Sequence, residues 1–260
     1  MADQSDPIEL AARALVEAVY PIALTGAGLS VESGIPPFRG PGGLWTRFGE
    51  PPMNQFQLFL ADPKTGWQER LRRRGEELHR GLVAARPNPG HQALVELERI
   101  GVLRFVITQN IDNLHRRAGQ QAMAEIHGNY QLTRCLECNR RFPEAEIDLE
   151  SLPPACPACG GLLKGDTVAF GEPIPRDVLA QCAMEAERAD LVLLAGTSAT
   201  VYPAAGFALQ VRQRGGTLIE ANLERSEVTP LCAVTLAGPT ATTLPRLAQR
   251  VAQLRRQRLS

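Results

Sequence analysis

The chain has 260 residues, with 28 Lys and Arg balanced by 28 Asp and Glu and an apolar content of 44%. That length allows one large α/β domain or a domain with a smaller one inserted. A neutral total argues against a dedicated nucleic-acid binder, which would carry a basic footprint.

The densest basic stretches, 70–74 and 255–258, read as solvated helix faces. The opening MADQSDPIEL lacks the basic start and apolar core of a secretory leader, and no apolar run is long enough to span a bilayer. The expected location is the cytoplasm. There, six cysteines point to metal binding or free thiols before disulfides.

The first element in chain order is a helix opened by Asp6-Pro7-x-Glu9. Asp6 caps it, Pro7 suits its first position, and Glu9 is placed to reach back. Ile8, Ala11, Leu15 and Ala18 mark one apolar face. A short apolar run at 22–25 follows and breaks at Gly26, the order expected of a nucleotide-binding α/β unit. The pattern recurs in the helix carrying Ala93, Leu94, Leu97 and Ile100, which precedes the run 103–108. Helical patterns at 177–189 and 204–214 precede or follow strands at 191–195 and 217–221. Such alternation implies a mostly parallel sheet covered on both faces, with ligands gathered at the carboxyl ends of its strands.

Two regions break the rhythm. Residues 36–90 hold three proline clusters around one charged helix-like stretch, and residues 133–165 hold four cysteines with little apolar periodicity. Both read as insertions. The resulting expectation is a Rossmann-like α/β domain over 1–35, 91–132 and 166–260, with a smaller zinc-binding domain formed by 36–90 and 133–165.

Cys135-x2-Cys138 and Cys156-x2-Cys159 are separated by seventeen residues. Two such knuckles can offer four thiolates to one tetrahedral Zn²⁺. The segment is too poor in apolar residues to fold by burial alone, so metal binding would supply its folding energy. Four unrelated thiols, or a redox pair, is the alternative. Four cysteine ligands mark a structural ion, because a catalytic zinc keeps a position open for water. Cys182 and Cys232 stand alone and read as small buried hydrophobes.

Polar clusters fall at the expected strand ends. Gly26-Ala27-Gly28 follows the first strand, where the backbone can approach a phosphate, although a plain glycine turn looks the same. Arg39, in a Gly- and Pro-rich loop, can pair with pyrophosphate, and Phe38 can cover a ring or anchor the loop. Gln109, Asn110 and Asp112 form a hydrogen-bonding shelf, with Asp112 equally suited to cap the next helix. His127, one of only four histidines, lies just ahead of the cysteines. Gly196-Thr197-Ser198 and Asn222-Leu223-Glu224 complete the set and can hold phosphate or ribose.

The order of these clusters resembles the sirtuin family. Gly26-Ala27-Gly28-Leu29-Ser30, Gly34-Ile35-Pro36-x-Phe38-Arg39, Gly43-Leu44-Trp45, Thr108-Gln109-Asn110-Ile111-Asp112, His127-Gly128, the paired CxxC, Phe170-Gly171-Glu172, Gly196-Thr197-Ser198 and Asn222-Leu223-Glu224 carry the resemblance. It runs from about residue 9 to residue 250.

The resemblance implies NAD as co-substrate, a structural Zn²⁺, and acylated-lysine proteins or peptides as partners. Gly26, Ala27 and Gly28 would approach the phosphates, and Phe38 and Arg39 would lie in a loop closing over NAD. Gln109, Asn110 and Asp112 would hold ribose and nicotinamide, with Ser30 and Ile111 alongside. Gly196, Thr197 and Ser198 would meet phosphate and ribose. Asn222, Leu223 and Glu224 would lie at the adenosine end, near Thr240. Catalysis would fall to His127, Asn110 and Asp112. The implied chemistry is that the acyl oxygen would attack the ribose as nicotinamide leaves, and His127 would take a proton from a ribose hydroxyl, which would attack the resulting imidate. The products would be free lysine, nicotinamide and O-acyl-ADP-ribose. Val168, Phe170, Gly171 and Glu172 would belong to a strand that pairs with the substrate peptide.

This chain departs from the pattern at Pro37, Gly165, Thr167 and Ala169. Arg70 and Arg73 stand where relatives that prefer acidic acyl groups carry Tyr and Arg, and Val31 stands where they often have Ala. Simple acyl groups, acetyl first, are therefore expected, although an Arg can still attract a carboxylate. Two other readings share these residues. One is ADP-ribose transfer to protein, or NAD hydrolysis, at the same site. The other is a zinc-ribbon binding module on an inactive scaffold, against which the intact His127, Asn110 and Asp112 count.

Overall fold

The computed structural model describes residues 6–38 and 42–259. Helix α1 (Pro7–Glu17) starts as expected, with Asp6 accepting from the Ile8 amide. Glu9 does not close a capping box. It is buried and pairs instead with Arg13 and with Arg250 of the last helix, α10 (Thr240–Leu259). Two guanidinium groups offer charge-assisted bonds stronger than one backbone amide, and the Arg250 bond foremost lowers the pKa of Glu9.

Strands β1 (Pro21–Thr25), β2 (Phe105–Thr108), β3 (Met123–Glu125), β7 (Leu191–Ala195), β8 (Thr217–Asn222) and β9 (Val234–Ala237) form one sheet in the order β3-β2-β1-β7-β8-β9. Every pairing in it is parallel. Alternate side chains feed two apolar layers. Ala23, Leu193 and Ile219 point toward α1, α6 (Pro89–Arg99) and α10. Ile22, Leu24, Val192, Leu194 and Leu218 point toward α8 (Arg176–Arg188) and α9 (Ala204–Gln213). The chain travels outward from β1 through β2 to β3 on one side, and from β7 through β8 to β9 on the other. The carboxyl ends of β1 and β7 therefore flank the topological switch point, where open α/β sheets bind ligands.

The charged stretch within 36–90 is four helices rather than one: α2 (Leu44–Phe48), α3 (Gln55–Ala61), α4 (Pro63–Arg73) and α5 (Glu77–Ala84). Residues 133–165 contribute to an antiparallel sheet, β5-β4-β6, made from Arg141–Pro143, Leu132–Cys135 and Leu163–Gly165. Trp67 of α4 packs there with Cys135, Ile147, Cys156 and Leu163, and its indole N–H donates to the Leu163 carbonyl at 2.8 Å. Helix α7 (Leu114–Ala118) follows the polar shelf.

Candidate functional site

The four cysteine sulfurs lie within 4.8 Å of one another. Cys135 Sγ and Cys159 Sγ are 3.5 Å apart, and Cys138 Sγ and Cys156 Sγ 3.8 Å. Ligands about 2.3 Å from a tetrahedral zinc stand about 3.8 Å from each other, so the donor set and its spacing fit Zn²⁺. The Glu137 and Cys138 amides both approach Cys135 Sγ at 3.4 Å, as suits a sulfur carrying negative charge.

A cleft of about 2010 Å³ opens at the carboxyl ends of the main strands. Gly28 and Gly196 meet at its floor. A Cβ on Gly28 would lie 2.8 Å from the Gly196 backbone, so glycine is required there before any ligand arrives. Residues 27–33 form a 3₁₀ turn directly after β1, with the Gly28 amide donating to the Gly196 carbonyl.

Three amide side chains line this cleft and share one arrangement. Gln109 donates from Nε2 to Thr197 Oγ1 at 2.8 Å and to the Thr25 carbonyl at 3.4 Å. Asn110 donates from Nδ2 to the Gly26 carbonyl at 3.0 Å and to Ser30 Oγ at 3.1 Å. Asn222 donates from Nδ2 to the Thr197 carbonyl at 2.8 Å and to Glu220 Oε1 at 3.0 Å. Each amide spends its N–H groups on the protein and keeps its oxygen for a donor. The cleft wall is thus rich in acceptors, which suits ribose hydroxyls and a carboxamide NH₂.

Asp112 lies beneath this shelf. Its Oδ2 accepts from Ser30 Oγ at 2.6 Å and its Oδ1 from the Leu114 amide at 2.9 Å, a turn that leads into α7, whose N-cap position is Asn113 rather than Asp112. Burial pushes its pKa up, against the bond from Ser30. Ile111 lines the cleft, and its carbonyl accepts from the Tyr130 amide.

His127 Nδ1 lies 3.1 Å from the Gln109 carbonyl. A carbonyl only accepts, so Nδ1 carries the proton and Nε2 keeps its lone pair. Burial lowers the imidazole pKa, opposed by that same bond. The neutral, basic form therefore prevails at pH 7. Gly128 lets the chain turn immediately afterwards, with φ at +77° and Asp166 O only 2.1 Å from where a Cβ would stand. Asp166 also accepts from the Asn129 amide and from Arg141, which ties the His127 loop to the cysteine-bearing region.

Other positions follow the expectations unevenly. Phe38, Trp45 and Phe170 form a ring-to-ring chain across the cleft mouth, with centroids 5.4 and 5.7 Å apart. Arg39 lies outside the described residues. Thr197 is buried, whereas Ser198, Leu223 and Glu224 are exposed at the rim. Thr240 is buried and its hydroxyl donates to Glu32.

The expected strand over 168–172 is a turn. The Glu172 amide returns to the Ala169 carbonyl, and the Val168 amide donates to the His127 carbonyl. The Phe170 and Gly171 carbonyls accept from the Phe56 amide and the Gln57 side chain, because the start of α3 has donors to satisfy. Glu172 is not open to a substrate through its side chain. Its carboxylate is buried among Arg134, Lys164 and the Ala169 amide.

Arg70 and Gly165 are in contact. A Cβ at 165 would lie 2.6 Å from Arg70 Nη1. The guanidinium is held by Glu144, at 2.6 Å from Nε, and by the Tyr130 carbonyl at 2.9 Å. Arg73 pairs with Glu69 on α4, and both are exposed along the rim of the cleft.

Sequence reasoning missed Lys164, Asp166, Arg134, Glu125 and Asn129, which brace the His127 loop and the turn after β6. Their only signal is a set of charged and polar side chains in segments that fold inward. It also missed His91 and His115, which are buried behind the shelf with ring centroids 5.1 Å apart.

A parallel sheet with its ligand groups at the switch point, beside a four-cysteine metal site, defines a nucleotide-dependent α/β protein with a structural-metal insert. The model of the Sir2 family matches residues 26–203, and the chain belongs to that family, the sirtuins. It is 44% identical over 254 residues to an "NAD-dependent protein deacylase" of Thermococcus kodakarensis, covering 95% of this chain and 97% of the relative. An "NAD-dependent protein deacetylase" of Saccharolobus solfataricus is 38% identical, covering 94% and 97%. Among solved structures, a Sir2 homolog–NAD complex superposes with a TM-score of 0.79 at 42% identity, covering 95% of this chain and 94% of that one.

Proposed function

We propose that this chain is an NAD-dependent protein-lysine deacylase, giving free lysine, nicotinamide and O-acyl-ADP-ribose. The observation that carries the reading is the row of amide oxygens from Gln109, Asn110 and Asn222 along one cleft, with His127 beside them. When bound, NAD supplies an activated ribosyl carbon that releases nicotinamide and accepts the acyl oxygen. Gln109, Asn110 and Asn222 receive ribose hydroxyls and the carboxamide. Asp112 holds Ser30 and the shelf in place, and Gly26, Ala27 and Gly28 bring backbone close to the phosphates. Gly196, Thr197, Ser198, Leu223, Glu224 and Thr240 complete the adenosine side, with Ile111, Phe38 and Arg39 toward the mouth. His127 Nε2 takes the proton of a ribose hydroxyl, a duty suited to an imidazole kept neutral by burial.

Substrates in this reading are acylated lysines that lie along Val168, Phe170, Gly171 and Glu172. Because α3 holds two carbonyls of that turn, pairing with a peptide requires α3 to release them. Acetyl is preferred to succinyl or malonyl. Arg70, the nearer of the two arginines to Gly165, is bound to Glu144 and the Tyr130 carbonyl, so its charge is already spent inside the protein. The small domain comprises 36–90 and 133–165, supported by the apolar cluster that joins Trp67 to Cys135, Cys156 and Leu163. The cytoplasm is the proposed location, because four thiolates ready for zinc suit a reducing compartment.

The test is an acyl-peptide panel with NAD, read by product mass. O-acyl-ADP-ribose is expected, with deacetylation faster than desuccinylation. His127→Ala should cost about 10²- to 10⁴-fold in rate, the range for a lost general base. Unchanged deacylation in that variant, or free ADP-ribose or ADP-ribosylated protein as the main product, would overturn the reading.

A further inference from the structure

Strands β1, β2 and β7 carry no charged residue, but β8 carries Glu220 at its centre, 0% exposed. It lies in register between Leu194 of β7 and Thr235 of β9. No ion pair among the described residues engages it. A carboxylate taken out of water without a cation is costly unless its hydrogen bonds are excellent. Its two oxygens are taken by neutral donors: Oε1 accepts from Asn222 Nδ2 at 3.0 Å, and Oε2 from Thr229 Oγ1 at 2.6 Å.

Both donors lead to the cleft. The other hydrogen of the Asn222 amide goes to the Thr197 carbonyl. With both hydrogens committed, the amide cannot turn over, and Oδ1 remains for the cleft. Thr229 Oγ1, while donating to Glu220, accepts from the Ser226 amide at 2.7 Å. That bond folds back the loop carrying Leu223 and Glu224. The chain of bonds also continues across the sheet. Thr197 Oγ1 accepts from Gln109 Nε2, and the Gln109 carbonyl holds His127 Nδ1.

We infer that Glu220 is a positioning residue for the dinucleotide: its buried carboxylate fixes which end of the Asn222 amide faces the adenosine side of the cleft and anchors the loop after β8. The inference rests on the reading of this cleft as an NAD site. A glutamine at 220 cannot serve both donors. If its oxygen faces Asn222, its NH₂ confronts a Thr229 hydroxyl that has lost its acceptor. If its NH₂ faces Asn222, the Asn222 amide turns over and presents a donor where an acceptor stood.

The test compares wild type, Glu220→Gln and Thr229→Val by ADP-ribose calorimetry, steady-state NAD kinetics and thermal melting. Glu220→Gln should raise the ADP-ribose Kd and the KM for NAD about 10-fold, the scale of one good hydrogen bond, with kcat within about 3-fold. Thr229→Val should raise both about 3-fold, since it frees the loop but leaves the Asn222 amide held. A lower melting temperature with unchanged ADP-ribose affinity in Glu220→Gln would overturn the proposal and leave the carboxylate a packing feature. A fall in kcat alone would also overturn it. If Glu220→Gln fails to fold, Thr229→Val decides, and unchanged affinity there refutes the anchor. Wild-type protein that does not bind ADP-ribose would remove the dinucleotide reading itself, and the proposal with it.

Discussion

The parallel-sheet region and the cysteine-bearing region are held together by different physics. The first buries two continuous apolar layers, one on each face of six strands. The second has a cluster of five buried residues, two of them cysteines. Burial alone can sustain the first, whereas the second needs its metal. The cleft takes something from each. Its amide shelf stands on strand ends fixed by burial. The His127 loop is tied through Asp166 and Val168 to the region that depends on zinc.

Removing zinc should break this contrast most widely. Structural Zn²⁺ contributes on the order of 10 kcal/mol in small zinc modules. Replacing Cys138 and Cys159 by serine, or stripping the ion with a strong chelator, should unfold much of 133–165 and release α4. Hydrogen exchange should then rise across 63–73 and 133–165 while β1, β7 and β8 stay protected. Deacylase activity should fall together with the loss of order around His127. Equal loss of protection in both regions would show that they are one cooperative unit.

The two regions also differ in how much of them could be read from sequence. Strands β1 and β7 are legible because a strand buried on both faces is an unbroken apolar run ended by glycine or a polar cluster, and β8 because Gly215-Gly216 sets it off and only Glu220 interrupts its run. Strands β3 and β9 do not stand out because they are the two edge strands, three and four residues long, and Glu125 and Thr235 leave neither with an apolar run such as that of β2. Helices α2 to α5 read as one charged stretch because each is short, between 5 and 11 residues, and the charged α4 dominates the composition; α3 buries none of its residues. The zinc site was legible from spacing alone. The ion cluster of Arg134, Lys164 and Glu172 was not, because its members meet only after β4 and β6 pair. Glu172 therefore read as a residue open to substrate when its charge is spent internally. Glu220 was hidden for a related reason: a single acid within an apolar run declares no partner until Asn222 and Thr229 fold beside it.

Acid should act on the sheet region. His91 and His115 are buried there, and burial lowers their pKa values to about 4 and about 3. Among the described residues, His91 Nε2 and His115 Nδ1 have no hydrogen-bond partner. An imidazole whose pKa falls on folding binds its proton more readily in the unfolded chain. Stability therefore rises with pH through this window and is lost as the medium is acidified from about 6.5 toward about 4. Each imidazole contributes up to about 1.4 kcal/mol per pH unit there. Asp112 and Glu125, raised by burial, oppose the trend at the acid end. Urea titrations at pH 7.5, 6.5 and 5.5 on wild type and His91→Gln isolate the share of His91. The variant should show the shallower slope, and parallel slopes would assign the acid sensitivity elsewhere.

The smallest expected effect lies on the seam between the regions. Trp67 of α4 is 1% exposed and donates its indole N–H to the Leu163 carbonyl, two residues before Gly165 and its contact with Arg70. Phenylalanine at 67 keeps most of the apolar contact but leaves that carbonyl without its donor. The cost is about 1–2 kcal/mol, a lost hydrogen bond with part of the desolvation penalty. Because the bond links α4 to β6 rather than strand to strand, the loss should be local. Hydrogen exchange should quicken at 63–73 and 163–165, and zinc should leave faster to a chelator, while β7 exchanges as before. The KM for acetyl-peptide should rise more than the KM for NAD, since Arg70 and Gly165 line the part of the cleft proposed for the acyl group and the amides proposed to face NAD stand at the ends of the sheet strands. An equal rise in both constants would mean that α4 and the sheet move together, and that the seam is no weaker than the layers beside it.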